Sequence, residues 1–314
     1  MARTAAVTGA AREEVLKAIT GRRRDIGSVL FQLALLLTLI LALAILLVLL
    51  GQVTAKALPV LQDRGGQIIT SGYSSLAERA GLRYGIVGSL YLMVFVVVIA
   101  FPLGIGAAVY MEEYARDSRL TRIINANIRN LAGVPAIVYG IFGLAIFVEL
   151  LGDATGPEAE GQSLLSGGLT IAIMVLPITI ITTAEALRAV PRGIREAGFG
   201  VGATRWEVIR SHVLPNAAPG ILTGSVLAMA RALGETAPLI MVGAVTGFLS
   251  TSGGFGEAIQ DRFTALPTLI FAYTKKPQPE FQDVAAAAIL VLMGTIFLVN
   301  LTAIILRNRY ERKW

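Results

Sequence analysis

The sequence predicts an all-α, polytopic membrane protein with six transmembrane helices. Three observations predict it. Hydrophobic residues make up 55% of the 314-residue chain and charged residues only 15%, with mean hydropathy +0.70, beyond the apolar share and charge deficit of soluble domains. Long uncharged runs recur, and about 20 apolar residues suffice to cross a hydrocarbon core of ~30 Å. Basic residues fall unequally on the segments between those runs.

In chain order the uncharged runs are 26–55, 84–111, 130–148, 161–184, 211–256 (interrupted by Arg231 and Glu235) and 284–306. The fifth helix is expected to start near Pro219, because Pro215 and Pro219 break any earlier helix. Six Lys and Arg precede the first run, four lie in 112–129, five in 185–218 and four in the C-terminal tail. The alternate segments carry four (52–83), none (149–160) and three (251–283). This split of 19 against 7 places both termini in the cytoplasm. The expected organisation is a cytoplasmic segment 1–27, a first anchor helix 28–51, an extracytoplasmic loop 52–83, a transmembrane core 84–306 with a cytoplasmic loop at 190–216, and a cytoplasmic tail 307–314. Arg22, Arg23 and Arg24 before the first run, and Ala55-Lys56-Ala57 after it, imitate a signal peptide. The run far exceeds a signal's apolar region of roughly 7–15 residues, so an uncleaved anchor is expected.

Several chemistries are excluded. No Cys and a single His, His212, rule out disulfides, thiol chemistry and clustered zinc or iron–sulfur sites, and neither a cofactor nor a metal is expected. No Gly-Lys pair occurs, so the chain has no P-loop and any ATP hydrolysis belongs to a partner. Gly198-x-Gly200-x-x-Ala203 imitates a dinucleotide fingerprint but follows no predicted strand. The net charge of +6 is explained by cytoplasmic loops, and no nucleic-acid partner is expected. Six spans without an internal repeat are few for a complete alternating-access transporter; half of one, paired with a second membrane subunit, is the natural expectation.

Within the 185–218 loop, glycines at 198, 200 and 202 break two short helices. Thr204 and Glu207 have the spacing of a capping box that starts the second helix, and Pro215 is expected to close it. Trp206, Ile209 and Val213 fall on one helical face. Such an element either lies in the lipid interface or projects into a partner's groove. Glu196-Ala197-Gly198, then Gly202, then Leu214-Pro215 resemble the EAA motif of ABC-importer permeases. Gly198 replaces the usual second Ala, and His212 stands where Ile is common. The resemblance implies that Glu196, Ala197, Gly198, Gly202, Trp206, Leu214 and Pro215 form a coupling element seated on a cytoplasmic ATPase subunit.

Arg231 lies 12 residues beyond Pro219, roughly 18 Å along a helix and near mid-bilayer. A charge there is costly and marks a functional path or an ionic partner. Glu235 follows at i+4, within pairing reach. Two readings stand: an ion pair that only fixes helix packing, or a guanidinium fork offered to an oxyanion in transit and partly neutralised by Glu235. Ala230-Arg231-Ala232-Leu233-Gly234-Glu235-Thr236-Ala237-Pro238-Leu239 resembles the matching segment of phosphate-specific (Pst) ABC-importer permeases, in the A-type branch rather than the C-type. Gly133-Val134-Pro135-Ala136-Ile137-Val138-Tyr139-Gly140-Ile141-Phe142-Gly143-Leu144, Pro102-Leu103-Gly104-Ile105-Gly106 ahead of Glu112-Glu113-Tyr114, and Ala189-Val190-Pro191 agree. The resemblance begins near residue 84. It implies a MetI-like ABC permease core with one extra N-terminal helix, a heterodimer with a C-type permease subunit, a pair of ATPase subunits and an extracytoplasmic phosphate-binding protein. It also places Arg231 and Glu235 in the translocation path. An importer of inorganic phosphate in a bacterial or archaeal inner membrane is therefore expected, a transport subunit and not an enzyme. The alternatives are another oxyanion (sulfate, molybdate or phosphonate), a passive anion channel, or a membrane scaffold.

Overall fold

The first uncharged run forms the longest helix, α1 (Ile26–Arg64). Its apolar residues surround the axis on every side, the pattern of a helix bathed in lipid. The computed structural model describes residues 26–244 and 255–310, and every regular element among them is helical. The basic segment 1–25 and residues 311–314, on which the expected orientation partly rests, lie outside the described residues. So do residues 245–254 of the fifth run.

Two compact units divide the chain, Met1–Gln52 and Val53–Trp314. In the first, all of residues 26–52 are exposed. In the second, the end of α1 is packed, not looped: Ala57 is buried with Ile68, Leu82, Leu269, Tyr273 and Phe281. The Tyr273 hydroxyl donates to the Gly81 carbonyl (2.8 Å), which ties the 71–82 turn to this cluster.

The remaining elements are α2 (Arg83–Tyr114), α3 (Arg119–Ala132), α4 (Ala136–Leu150), α5 (Leu164–Arg188), α6 (Arg192–Gly200), α7 (Arg205–Gly234), α8 (Ala237–Met241), α9 (Phe255–Gln260), α10 (Leu266–Thr274) and α11 (Glu280–Tyr310). Five helices are long and apolar enough to cross a membrane, and six spans result if the α3–α4 pair counts as one. That pair is bent by 101°. The third span was expected from residue 130, but Asn130 belongs to α3 and the chain turns at 133–135. Pro135, with extended backbone at the N-cap of α4, cannot continue α3 because it has no N–H to give.

Helix α5 is the central post: 67% of its apolar window is buried, against 11% for α11. Helix α7 crosses it through Gly220 and Gly224. A Cβ at either would stand 2.7 Å from Ala186 Cβ or 2.3 Å from Thr182 Oγ1, so the spacing of four glycine-to-glycine residues lets the backbones approach closely.

Neither Pro215 nor Pro219 breaks α7, which runs unbroken from Arg205 to Gly234. A π turn at Ile209–Val213 precedes Pro215. It shifts the hydrogen-bond register by one residue just ahead of the proline's missing donor.

Candidate functional site

Arg231 occupies the last turn of α7 and Glu235 the residue that ends it, with extended backbone. The i+4 spacing therefore does not place them on one continuous helix. The pair forms all the same: Arg231 Nε donates to Glu235 Oε1 at 3.2 Å, with side chains 31% and 24% exposed. The helix C-terminus adds favourable partial negative charge beneath the guanidinium. Among the described residues, Nη1 and Nη2 make no hydrogen bond, so the outer edge of the fork keeps its donors.

The surroundings of the pair are unequal. Ala228, Ala232 and Leu233 point into the core, whereas Thr223, Leu227 and Gly234 are exposed on the face that Arg231 shares. After Glu235, α8 packs on α4, where a Cβ at Gly140 would stand 2.6 Å from Pro238 Cα. Residues 133–144 and 230–239, separate in sequence, thus meet beside the arginine.

At the other end of α7 the loop is more ordered than its glycines suggest. Helix α6 continues through Gly198 and Gly200, and only Gly202, at φ +83°, makes the turn. Gly198 is buried because a Cβ there would lie 2.8 Å from Val208 Cγ2. The Thr204 box forms as expected: Glu207 Oε2 accepts from Thr204 N (2.7 Å), and Thr204 Oγ1 accepts from Glu207 N (3.4 Å). The shared face of Trp206, Ile209 and Val213 does not hold. Ile209 and Val213 are buried at 1% and 0%, while Trp206, in the first turn of α7 ahead of the π turn, is 52% exposed.

The expected coupling residues divide between two grooves. Ala197 and Gly198, with Pro191, Ile194, Val201 and His212, line an apolar groove of about 680 Å³. Trp206 and Leu214 line another of about 510 Å³ with Tyr110 and Tyr114. Glu196 is exposed beside Glu112 and Arg192, and Pro215 is exposed on α7.

Sequence reasoning missed what anchors α6. Glu113, 8% exposed in the π turn that ends α2, accepts from Arg195 Nη2 at 2.6 Å. The same guanidinium donates to the carbonyls of Leu187 (2.9 Å) and Val190 (2.8 Å). Arg188 meets Glu112 through two hydrogen bonds, one of 2.8 Å from Nε. The available signal was the acidic pair at 112–113 closing an uncharged run opposite an arginine-rich loop.

Residues 100–313 match the family described as binding-protein-dependent transport system inner membrane component. The chain belongs to that family. The match covers the transport core of this family member, from within α2 through both ends of α7, and leaves α1 outside. Among curated relatives, the probable ABC transporter permease protein YqgI of Bacillus subtilis is 35% identical over 57% of this permease and 59% of its own length. The phosphate transport system permease protein PstA of Yersinia pestis is 34% identical over 71% of each chain. PstA of Xylella fastidiosa is 32% identical over 74% of this chain and 77% of its own. A bacterial ABC transporter involved in import of the acidic polysaccharide alginate shares the fold, with TM-score 0.58 at 15% identity, covering 87% of this permease and 96% of that chain. The MetNI methionine ABC transporter shares it with TM-score 0.57 at 17% identity, over 73% and 97%. The permease is thus an all-helical, multi-pass inner-membrane transport subunit with a MetI-like core, as the sequence predicted.

Proposed function

We propose that this permease carries inorganic phosphate into the cell, with Arg231 and Glu235 in its path. The observation that carries the reading is the guanidinium of Arg231, partly exposed and, among the described residues, hydrogen-bonded through Nε to Glu235. The remaining donors suit a tetrahedral oxyanion, and Glu235 weakens the field so that the ion also leaves. The PstA relatives favour phosphate among oxyanions.

The exposed face of Thr223, Leu227, Arg231 and Gly234 is half of a path, which a C-type permease subunit completes as a heterodimer. An ATPase dimer seats on the 196–215 loop from the cytoplasm, where both termini lie, and a phosphate-binding protein delivers from the opposite side. Apolar lining around Ala197 and Gly198 supports a seat for a partner over a lipid-lying helix. Because α7 is continuous, roughly 39 Å of helix joins the seat at Arg205 to Arg231, and a shift at one end reaches the other.

The test is uptake of radiolabelled phosphate by vesicles holding the purified complex, with and without ATP and against excess unlabelled sulfate. ATP-dependent uptake that sulfate leaves unchanged is expected. Competition by sulfate reassigns the permease to another oxyanion, and flux without ATP makes it a channel.

A further inference from the structure

Helix α3 has no buried residue, although it joins two spans. It runs at 101° to α4, so with α4 crossing the bilayer α3 lies along the membrane surface. Its half-buried residues Thr121, Asn125, Ile128 and Ala132 share one face, and α5 is the element it packs against. A second face, Leu120, Ile123, Ile124 and Leu131, is 67%, 58%, 42% and 46% exposed. Arg122 and Arg129 lie on the side away from that stripe, Arg119 borders it one turn before Ile123, and the helix contains no acidic residue. Asp117, just before it, meets Arg122 at 3.6 Å, but both side chains are largely exposed, so the pair is weak.

An apolar stripe backed by arginines is the pattern of a helix sunk to headgroup depth in an anionic membrane. We infer that α3 is an interfacial lipid-binding helix, whose apolar stripe enters the cytoplasmic leaflet while Arg119, Arg122 and Arg129 bind the phosphodiester groups of anionic lipids. Charge complementarity selects the occupant: a protein groove would have to bury the stripe and also supply acidic residues, whereas an anionic leaflet offers both properties at once. The helix is joined to α4 by the turn at 133–135, and the Tyr139 hydroxyl on α4 donates to the Leu131 carbonyl (2.8 Å). Lipid held on α3 therefore bears on the span that packs beside Arg231.

The natural chain lacks cysteine, so single nitroxide labels can be placed cleanly. In the purified complex, in phosphatidylcholine vesicles containing phosphatidylglycerol, a label at Ile123→Cys should be reached by oxygen dissolved in lipid and spared by a water-soluble nickel chelate. Arg122→Cys should show the reverse. Shielding of Ile123→Cys from both reagents means that another subunit covers the stripe and overturns the inference. Binding is read separately from the preference of the complex for spin-labelled phosphatidylglycerol over phosphatidylcholine. Neutralising Arg119, Arg122 and Arg129 to Gln should reduce that preference by about fivefold per arginine, and Arg→Lys at the same three positions should retain it. An unchanged preference in the Gln variant also overturns the inference. Neither readout requires transport, so failure here is distinct from failure of the phosphate reading.

Discussion

Arg231 is the residue on which the transport reading turns, and its geometry separates two roles. A purely structural ion pair tolerates loss of the guanidinium's outer edge, whereas an oxyanion ligand does not. Arg231→Lys keeps the charge but removes the planar fork. Its phosphate uptake is expected to fall at least about tenfold, the cost of roughly one charge-assisted hydrogen bond, while the amount of assembled complex stays unchanged. Uptake at the natural level would make the pair structural. Glu235→Gln should retain binding but slow release, read as a lower turnover with tighter phosphate retention in vesicles. The residues of this pair were legible in the sequence because charge is so rare inside an apolar run. The helix end between them was not: i+4 spacing describes a regular helix, and the chain leaves the helix at Gly234.

At the scale of elements, the 185–218 loop has one arm fixed by ion pairs and another continuous with α7. Glu113 and Arg195 are 9% and 20% exposed as side chains, so removing either partner strands a mostly buried charge at a cost of about 3 kcal/mol. Thermal unfolding of Glu113→Gln, Arg195→Gln and the double variant should yield a coupling of about 1–3 kcal/mol. A value near zero would show that α6 is held by its carbonyl contacts alone. On the apolar groove, Ala197→Asp puts a charge where a partner is proposed to seat. It is expected to abolish ATPase co-purification and ATP-driven uptake together, and normal values of both would remove the groove as the seat. The capping box was readable because it is a local rule of four residues. The exposure of Trp206 was not, since helical spacing gives a residue's face but not what covers the first turn of the helix.

Across the whole molecule, the expected orientation rests on counts of basic residues that partly fall outside 26–310. Single cysteines test it directly in a chain that has none. Ser75→Cys should react with a membrane-impermeant maleimide added outside intact cells. Gly200→Cys, which has open space around its Cβ position, should react only after permeabilisation; the opposite result would invert the permease. The sequence by itself determined the membrane class, the number of apolar runs and the places where charge is tolerated, because the cost of placing polar groups in hydrocarbon is paid residue by residue. It also carried the family resemblance, through short motifs. Only the tertiary structure decided where helices truly stop. Pro215 passes and Pro135 does not, since the outcome depends on whether neighbouring turns and helices absorb the lost hydrogen bond. Tertiary packing likewise brought Gly140 against Pro238 and Glu113 to Arg195, contacts between distant segments that no local pattern encodes.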